Sequence, residues 1–266
     1  MGVARVRAWL QAARRIAVLT GAGMSAESGV PTFRDAQTGY WAQYRPEDMA
    51  TEAGYRAQPG LVWRWYAHRR ALLRGVAPNA GHVALAHFAQ RHPGRLTLIT
   101  QNVDGLHRAA GSAEIIEIHG NLQALMCTVC DHEETADDMS GREIPPRCPA
   151  CGGVLRPKVV LFGEALPEDE LERFIKALQE GFDLVFSIGT SSLFPYIVQP
   201  VIYAASAGIP TVEINPARTQ LSDIVDYYLP LGAAEVTATD MLDGPLQRAK
   251  AVAWESTGKT VGADFF

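Results

Sequence analysis

Residues 14–35 read RRIAVLTGAGMSAESGVPTFRD. An apolar run through Val18 and Leu19 ends at Thr20 and gives way at once to Gly21-Ala22-Gly23. In a dinucleotide-binding turn the first glycine permits the tight turn and the second lets backbone approach pyrophosphate. The third position must be small, so that helix and strand can pack. Gly21, Gly23 and Ala26 meet those needs. A lone G-x-G-x-x-A is also an ordinary tight turn, and the preceding strand is what raises it above that. The acid that usually follows about 20 residues on to hold a ribose is missing at that position, so this is not half of a standard dehydrogenase. The chain runs on through Gly29 and Pro31 to Phe33-Arg34-Asp35, and so much irregular chain calls for another role.

Outward from this stretch, strands and helices alternate. RLTLITQN and EIIEIHG read as strands, as do VVLF, DLVFSIGT and PTVEIN. PGLVWRWYAHRRALLR reads as a helix entered at Pro59, NAGHVALAHFAQRH as a helix capped by Asn79, and PEDELERFIKALQEG as a third. Further helices are expected from about 194 to 207 and near 239–252, and Val3, Val6, Leu10 and Ala13 suggest a short amphipathic one at the N-terminus. This rhythm is that of a doubly wound, Rossmann-like parallel sheet in an α/β protein, interrupted at 121–156 by a smaller inserted module. We expect a large domain from about 10–30, 76–120 and 157–250. A small domain would comprise a helical part at about 31–75 and a metal ribbon at 121–156. Ligands of such sheets bind at the C-terminal strand ends, where Gly21, Gln101, His119, Gly189 and Asn215 fall.

The chain has 266 residues, 47% of them hydrophobic, and a net charge of -5. That is enough apolar material for a substantial core, and the charge argues against a phosphate-binding footprint. No signal peptide and no apolar run of about 18 residues is read, so the expectation is a cytoplasmic protein without a membrane span.

The four cysteines, Cys127, Cys130, Cys148 and Cys151, form two C-x-x-C pairs. Two knuckles at this separation match a four-thiolate zinc site, closed to water and therefore structural. Two disulfides are the alternative, disfavoured in the cytosol. Zinc ribbons often bind nucleic acid, but residues 131–147 carry Asp131, Glu133, Glu134, Asp137, Asp138 and Glu143 against Arg142 and Arg147, the wrong sign for phosphate. In TQNVDGLH, Gln101, Asn102 and Asp104 could hold sugar hydroxyls or a carboxamide, or simply form an Asx turn. His119 is a structural histidine or a general base. His82, beside a helix cap, and His68, on a helix, read as structural.

Taken together, GAGMSAESGVPTFRD, TQNVDGLH, the HG of EIHGN, the paired cysteines, FGE at 162–164, GTSS at 189–192 and EINP at 213–216 resemble, in order, the sirtuin family of NAD-dependent protein lysine deacylases. The likeness runs from about residue 14 to about 235. It implies that the irregular loop folds over the nicotinamide ribose and rearranges as NAD is cleaved. Gly21, Ala22 and Gly23 would face the pyrophosphate, Ser25 and Ala26 would also bind the cofactor, and Phe33 and Arg34 would close on the nicotinamide side. Gln101 and Asn102 would hold the ribose and Asp104 the carboxamide, and Val103 would also bind the cofactor. Gly189, Thr190, Ser191 and Asn215 would grip the adenosine half, and Pro216, Ala217 and Ala233 would also bind the cofactor. Phe162, Gly163 and Glu164 would pair with substrate backbone as an added strand. Asn102 and His119 would be catalytic. The acyl oxygen of a modified lysine attacks the ribose as nicotinamide leaves, and His119 then acts as base on a ribose hydroxyl. The products would be lysine, nicotinamide and O-acyl-ADP-ribose.

Two departures stand out: Phe194-Pro195-Tyr196 where many members have smaller residues, and Asn215-Pro216-Ala217 without an acid that many carry. Tyr66 and Arg69, three apart on one helix face, resemble the clamp of the bacterial branch that removes succinyl and malonyl groups, with Ala50 as the small residue that leaves room. Without that likeness, Arg69 and Arg70 read as a solvated helix face. Acyl-lysine proteins or peptides are the expected partners. A protein ADP-ribosyltransferase, a non-enzymatic NAD or zinc interaction protein, and a dehydrogenase are the competing functions. The oligomeric state is not legible.

Overall fold

The computed structural model describes residues 2–31, 44, 49–136, 139 and 141–237. Its elements in chain order are α1 (Gly2–Ala12), β1 (Ile16–Thr20), α2 (Gly23–Ala26), α3 (Glu52–Ala57), α4 (Pro59–Leu73), α5 (Ala80–Arg91), β2 (Leu96–Thr100), α6 (Leu106–Ala109), β3 (Ile115–Glu117), β4 (Gly120–Cys127), β5 (Glu133–Thr135), β6 (Leu155–Val159), α7 (Glu168–Glu180), β7 (Leu184–Ile188), α8 (Pro195–Ser206), β8 (Thr211–Ile214), β9 (Tyr227–Leu229) and α9 (Ala233–Thr237).

Six strands form one sheet in the order β3-β2-β1-β7-β8-β9, and every pairing in it is parallel. β1 and β7 are buried at all five positions, as central strands covered on both faces must be. One face packs Val6, Leu10, Leu85 and Phe88 against Val18 and Phe186. The other packs Phe174, Ile197 and Val201 against Leu19 and Val185. The strand order reverses between β1 and β7, which makes the crevice beyond Thr20 and Ile188 the place where such a sheet holds its ligand.

A second, antiparallel sheet has the order β5-β4-β6. The fourth predicted strand is corrected here. VVLF does not join the large sheet. The strand forms earlier, over Leu155–Val159, and pairs with β4. Trp63 of α4 donates its indole N–H to the Leu155 carbonyl, and Trp63, Trp65, Leu122, Leu125 and Leu155 share one buried cluster. The solvated-face reading of Arg70 fails too, for Arg70 is buried and donates to the carbonyls of Leu122 and Ala136. The helix expected near 239–252 lies outside the described residues, and β9 was not anticipated. No helix among the described residues is long and apolar enough to cross a membrane.

Candidate active site

The site is built first by backbone. Gly189 follows β7 with φ +60, and a Cβ there would lie 2.4 Å from the Met24 nitrogen. A Cβ on Gly21 would meet the Thr190 Cα at 2.8 Å, and one on Gly23 the Gly189 Cα at 2.8 Å. The Gly23 N–H donates to the Gly189 carbonyl at 2.8 Å. The three glycines therefore let two loops from adjacent strand ends touch main chain to main chain, leaving Ala22 and Ser191 exposed at the rim.

Behind this edge lies a closed polar network. The Asn79 N–H donates to His82 Nδ1 at 3.3 Å, so Nε2 carries the proton and gives it to Ser25 Oγ at 3.3 Å. Asn102 Nδ2 donates to the same oxygen at 3.1 Å and to the Gly21 carbonyl at 3.0 Å. Ser25 in turn donates to Asp104 Oδ2 at 2.7 Å, and Asp104 Oδ1 accepts the Leu106 N–H at 2.9 Å. Burial pushes the Asp104 carboxyl up, against the pull of those two donors and of Arg69. Burial also drops His82 to about 4 and its edge-on neighbour His107 to about 3. Sequence reading saw His82 only as a structural residue beside a helix cap. The contact that matters spans 57 residues, and no local pattern announces it.

On the other flank, His119 Nδ1 donates to the Gln101 carbonyl at 3.0 Å, and Nε2 accepts from the Tyr196 hydroxyl at 2.6 Å. Burial drops His119 to about 4, so the ring is neutral near pH 7. Phe194 stands edge-on to His119 at 5.4 Å and stacks with both Tyr196 and Phe162.

The adenosine-side candidates meet at β8. Asn215 Nδ2 donates to the Thr190 carbonyl at 2.7 Å and its Oδ1 accepts the Ala217 N–H at 3.2 Å, with Pro216 and Ala217 exposed. Thr190 is buried, its hydroxyl shared with Ser187 and Ser192. Ala233 faces the core at the start of α9, while the next N–H binds the Glu27 carboxylate. Ala26 is exposed at the end of α2, and the Val103 carbonyl accepts from Leu122. Phe33 and Arg34 lie outside the described residues.

Among the substrate-side candidates, Phe162 already has its N–H on the Ala50 carbonyl at 2.7 Å and its own carbonyl facing the Glu52 N–H at 3.4 Å. Glu164 holds Arg156 and the Leu161 N–H. Gly163, at φ +93, has nothing within 4 Å of a notional Cβ. Tyr66 is buried on α4, and burial raises its phenol beyond the ordinary range. Arg69 lies beside it with its guanidinium over the Trp65 ring at 5.1 Å. Burial lowers its basicity, and Tyr66 and Asp104 restore part of it.

The four cysteine sulfurs lie within 4.8 Å of one another, with Cys127 and Cys151 at 3.5 Å and Cys130 and Cys148 at 3.7 Å. Tetrahedral zinc with bonds of about 2.3 Å separates its sulfurs by about 3.8 Å. An all-thiol set of this size fits one zinc ion and leaves no ligand position open.

Residues 21–195, more than half of the chain, match the profile of the Sir2 family. An NAD-dependent protein deacylase of Ralstonia nicotianae is 48% identical over 231 residues, covering 85% of this chain and 90% of that one. NAD-dependent protein deacylase 1 of Pseudomonas aeruginosa is 46% identical over 238 residues, 85% of this chain and 93% of that one. Among solved structures, a Sir2 homologue in complex with NAD superposes with a TM-score of 0.81 at 39% identity, covering 88% of this chain and 91% of the other. A Sir2 protein bound to a propionylated peptide gives 0.77 at 26% identity, covering 89% and 96%. With its glycine-locked switch point and thiol cluster, the chain belongs to the Sir2 family.

Proposed function

We propose that this chain removes acyl groups from lysine side chains of proteins or peptides, consuming NAD, with a preference for acyl groups that end in a carboxylate. The observation that carries the reading is convergence: Gln101, Asn102, Asp104 and His119 gather at the edge where Gly21, Gly23 and Gly189 meet, and Asp104 acts on Arg69, which lies beside Tyr66. NAD, when bound, supplies an electrophilic ribose carbon and a leaving group. Gly21, Gly23, Gly189, Ser191 and Asn215 would hold its diphosphate and adenosine. Asn102 and Asp104 would orient the reacting end. His119, neutral and with its proton fixed on Nδ1, can accept a proton at Nε2. Exposed Gly163 leaves main chain open to a peptide strand. Zinc would hold the small sheet and take no part in the reaction. We place the enzyme in the reducing cytoplasm, where four thiols serve a metal rather than disulfides.

An acyl carboxylate entering an apolar pocket would be costly. Arg69 can receive it through two parallel N–H groups, with the Tyr66 hydroxyl as a further donor. One observation favours a second reading: Asp104 already acts on Arg69, so Arg69 could serve only as its counter-ion. The decisive experiment incubates wild type and Arg69→Met with NAD and acetyl-, succinyl- and malonyl-lysine peptides, and resolves the products by mass. The variant is expected to lose desuccinylation by roughly 2–5 kcal/mol in kcat/KM, and deacetylation far less. Equal losses would make Arg69 the counter-ion of Asp104. A labelled target protein instead of free lysine would make the chain an ADP-ribosyltransferase.

A further inference from the structure

The base assigned above does not have a free lone pair. An imidazole whose Nδ1–H is given to a carbonyl has one acceptor left, in the ring plane at Nε2. In His119 the Gln101 carbonyl fixes that tautomer, and Nε2 is occupied by the Tyr196 hydroxyl at 2.6 Å. Tyr196 belongs to the Phe194-Pro195-Tyr196 stretch. It is the second residue of α8, after Pro195 at the first helical position. Its ring packs on Phe194, which packs on Phe162, so an aromatic wall holds the hydroxyl in place.

We propose that Tyr196 is a positioning residue for His119: with the ring already held in the Nδ1–H form by the Gln101 carbonyl, its hydroxyl masks the Nε2 lone pair until a substrate hydroxyl displaces it. This rests on the assignment of His119 as base. The two hydroxyls cannot share one lone pair, so deprotonation requires the Tyr196 O–H to leave first. The proton of the substrate hydroxyl then passes to Nε2, and its oxygen keeps the bonding pair for attack on the acyl carbon. Tyr196 loses nothing in the step. Its phenol, pushed up to about 12 by burial, stays protonated throughout. A donor on Nε2 also stabilises neutral imidazole over imidazolium, so the mask weakens the base while it is in place. Among the described residues the other contacts of His119 are neutral: the Gln101 carbonyl, the Val160 N–H on its own carbonyl, and the Phe194 ring.

Tyr196→Phe keeps the ring stack and removes only the hydroxyl. In the unliganded protein, nitrogen NMR of His119 should show the same Nδ1–H tautomer, a changed Nε2 signal and a higher titration midpoint. With NAD and acyl-lysine peptide, the acidic limb of kcat/KM against pH should move up by a similar amount. At pH 7.5 kcat/KM should be equal to or above that of wild type. A merely structural tyrosine would move melting temperature and leave both pH readouts in place, which overturns the proposal. A tenfold or larger fall in kcat/KM overturns it too, because the tyrosine would then conduct the proton rather than mask its acceptor. If the NMR midpoint rises but the kinetic limb stays, the contact stands and the assignment of His119 as base falls. Tyr196→Leu, which also removes the stack, serves as a second variant and should raise the NMR midpoint likewise.

Discussion

The two sheets are joined to their surroundings by different means. At the crevice of the large sheet, main chain meets main chain: Gly21 and Gly23 lie against Gly189 and Thr190 with no room for a Cβ. Around the small sheet, long side chains reach across to carbonyls. Arg70 spans from α4 to Leu122 and Ala136, Trp63 reaches Leu155, and four thiols gather round one point. The difference teaches where each region tolerates change. A backbone contact has no rotamer with which to yield, whereas a side-chain bridge can be shortened, lost or replaced by a metal.

The sharpest test of this contrast is Gly189→Ala. A methyl 2.4 Å from the Met24 nitrogen, at φ +60, cannot be absorbed by side-chain motion, and a loss of roughly 3–5 kcal/mol is expected, at the exceptional end for one substitution. Chemical denaturation measures it. Gly208→Ala is its control, with φ +72 but nothing within 4 Å of the new methyl. It should lose only about 1 kcal/mol, the cost of the backbone conformation alone. Comparable losses in the two variants would erase the distinction between strain and contact.

Metal removal should act on the other region. Chelation is expected to melt the small sheet, read as faster amide exchange through 120–159, while β1, β2 and β7 stay protected. Uniform loss of protection in both sheets would show that the two regions unfold as one.

Arg70→Met probes the same region without touching zinc. It leaves the Leu122 and Ala136 carbonyls without their charged donor, and about 2–3 kcal/mol should be lost. A loss under 0.5 kcal/mol would show that water replaces the guanidinium.

The mildest probe is acid. His82 and His107 have folded pKa values depressed to about 4 and about 3, so the unfolded chain, titrating near 6.5, takes up the proton first. Their contribution to stability is therefore complete above pH 6.5 and lost as pH falls toward 4. From pH 6.5 to 5.5 the two should cost roughly 1 kcal/mol each. The melting temperature of His107→Asn should fall less over that interval than that of wild type.

Much of the scaffold was legible because it is written in local patterns. β1 shows as an apolar run cut by Gly21, α4 begins at Pro59, α5 is capped at Asn79, and the cysteines announce a thiol cluster by spacing. What was missed depends on partners far along the chain. VVLF is apolar enough for a buried strand, but the pairing of Gly120–Cys127 with Leu155–Val159 draws the strand into the small sheet. β9 has three residues and no periodicity to detect. Arg70 reads as surface because the carbonyls it serves belong to other elements. The Tyr196 hydroxyl on His119 joins residues 77 apart, so the unusual aromatic stretch was visible while its purpose was not.

The parallel pairing of Ile16–Thr20 with Leu184–Ile188 has a temporal consequence. During synthesis from the N-terminus, β1, β2 and β3 and the whole thiol cluster leave the ribosome well before β7 exists. The crevice can close only after residues 184–189 have emerged, so the nascent chain can bind metal long before it can form a nucleotide site. Until then one edge of β1 is bare, and closing it requires contacts of high sequence separation, which form slowly. A chain halted before residue 184 would carry an open strand edge at β1, which completing the crevice covers.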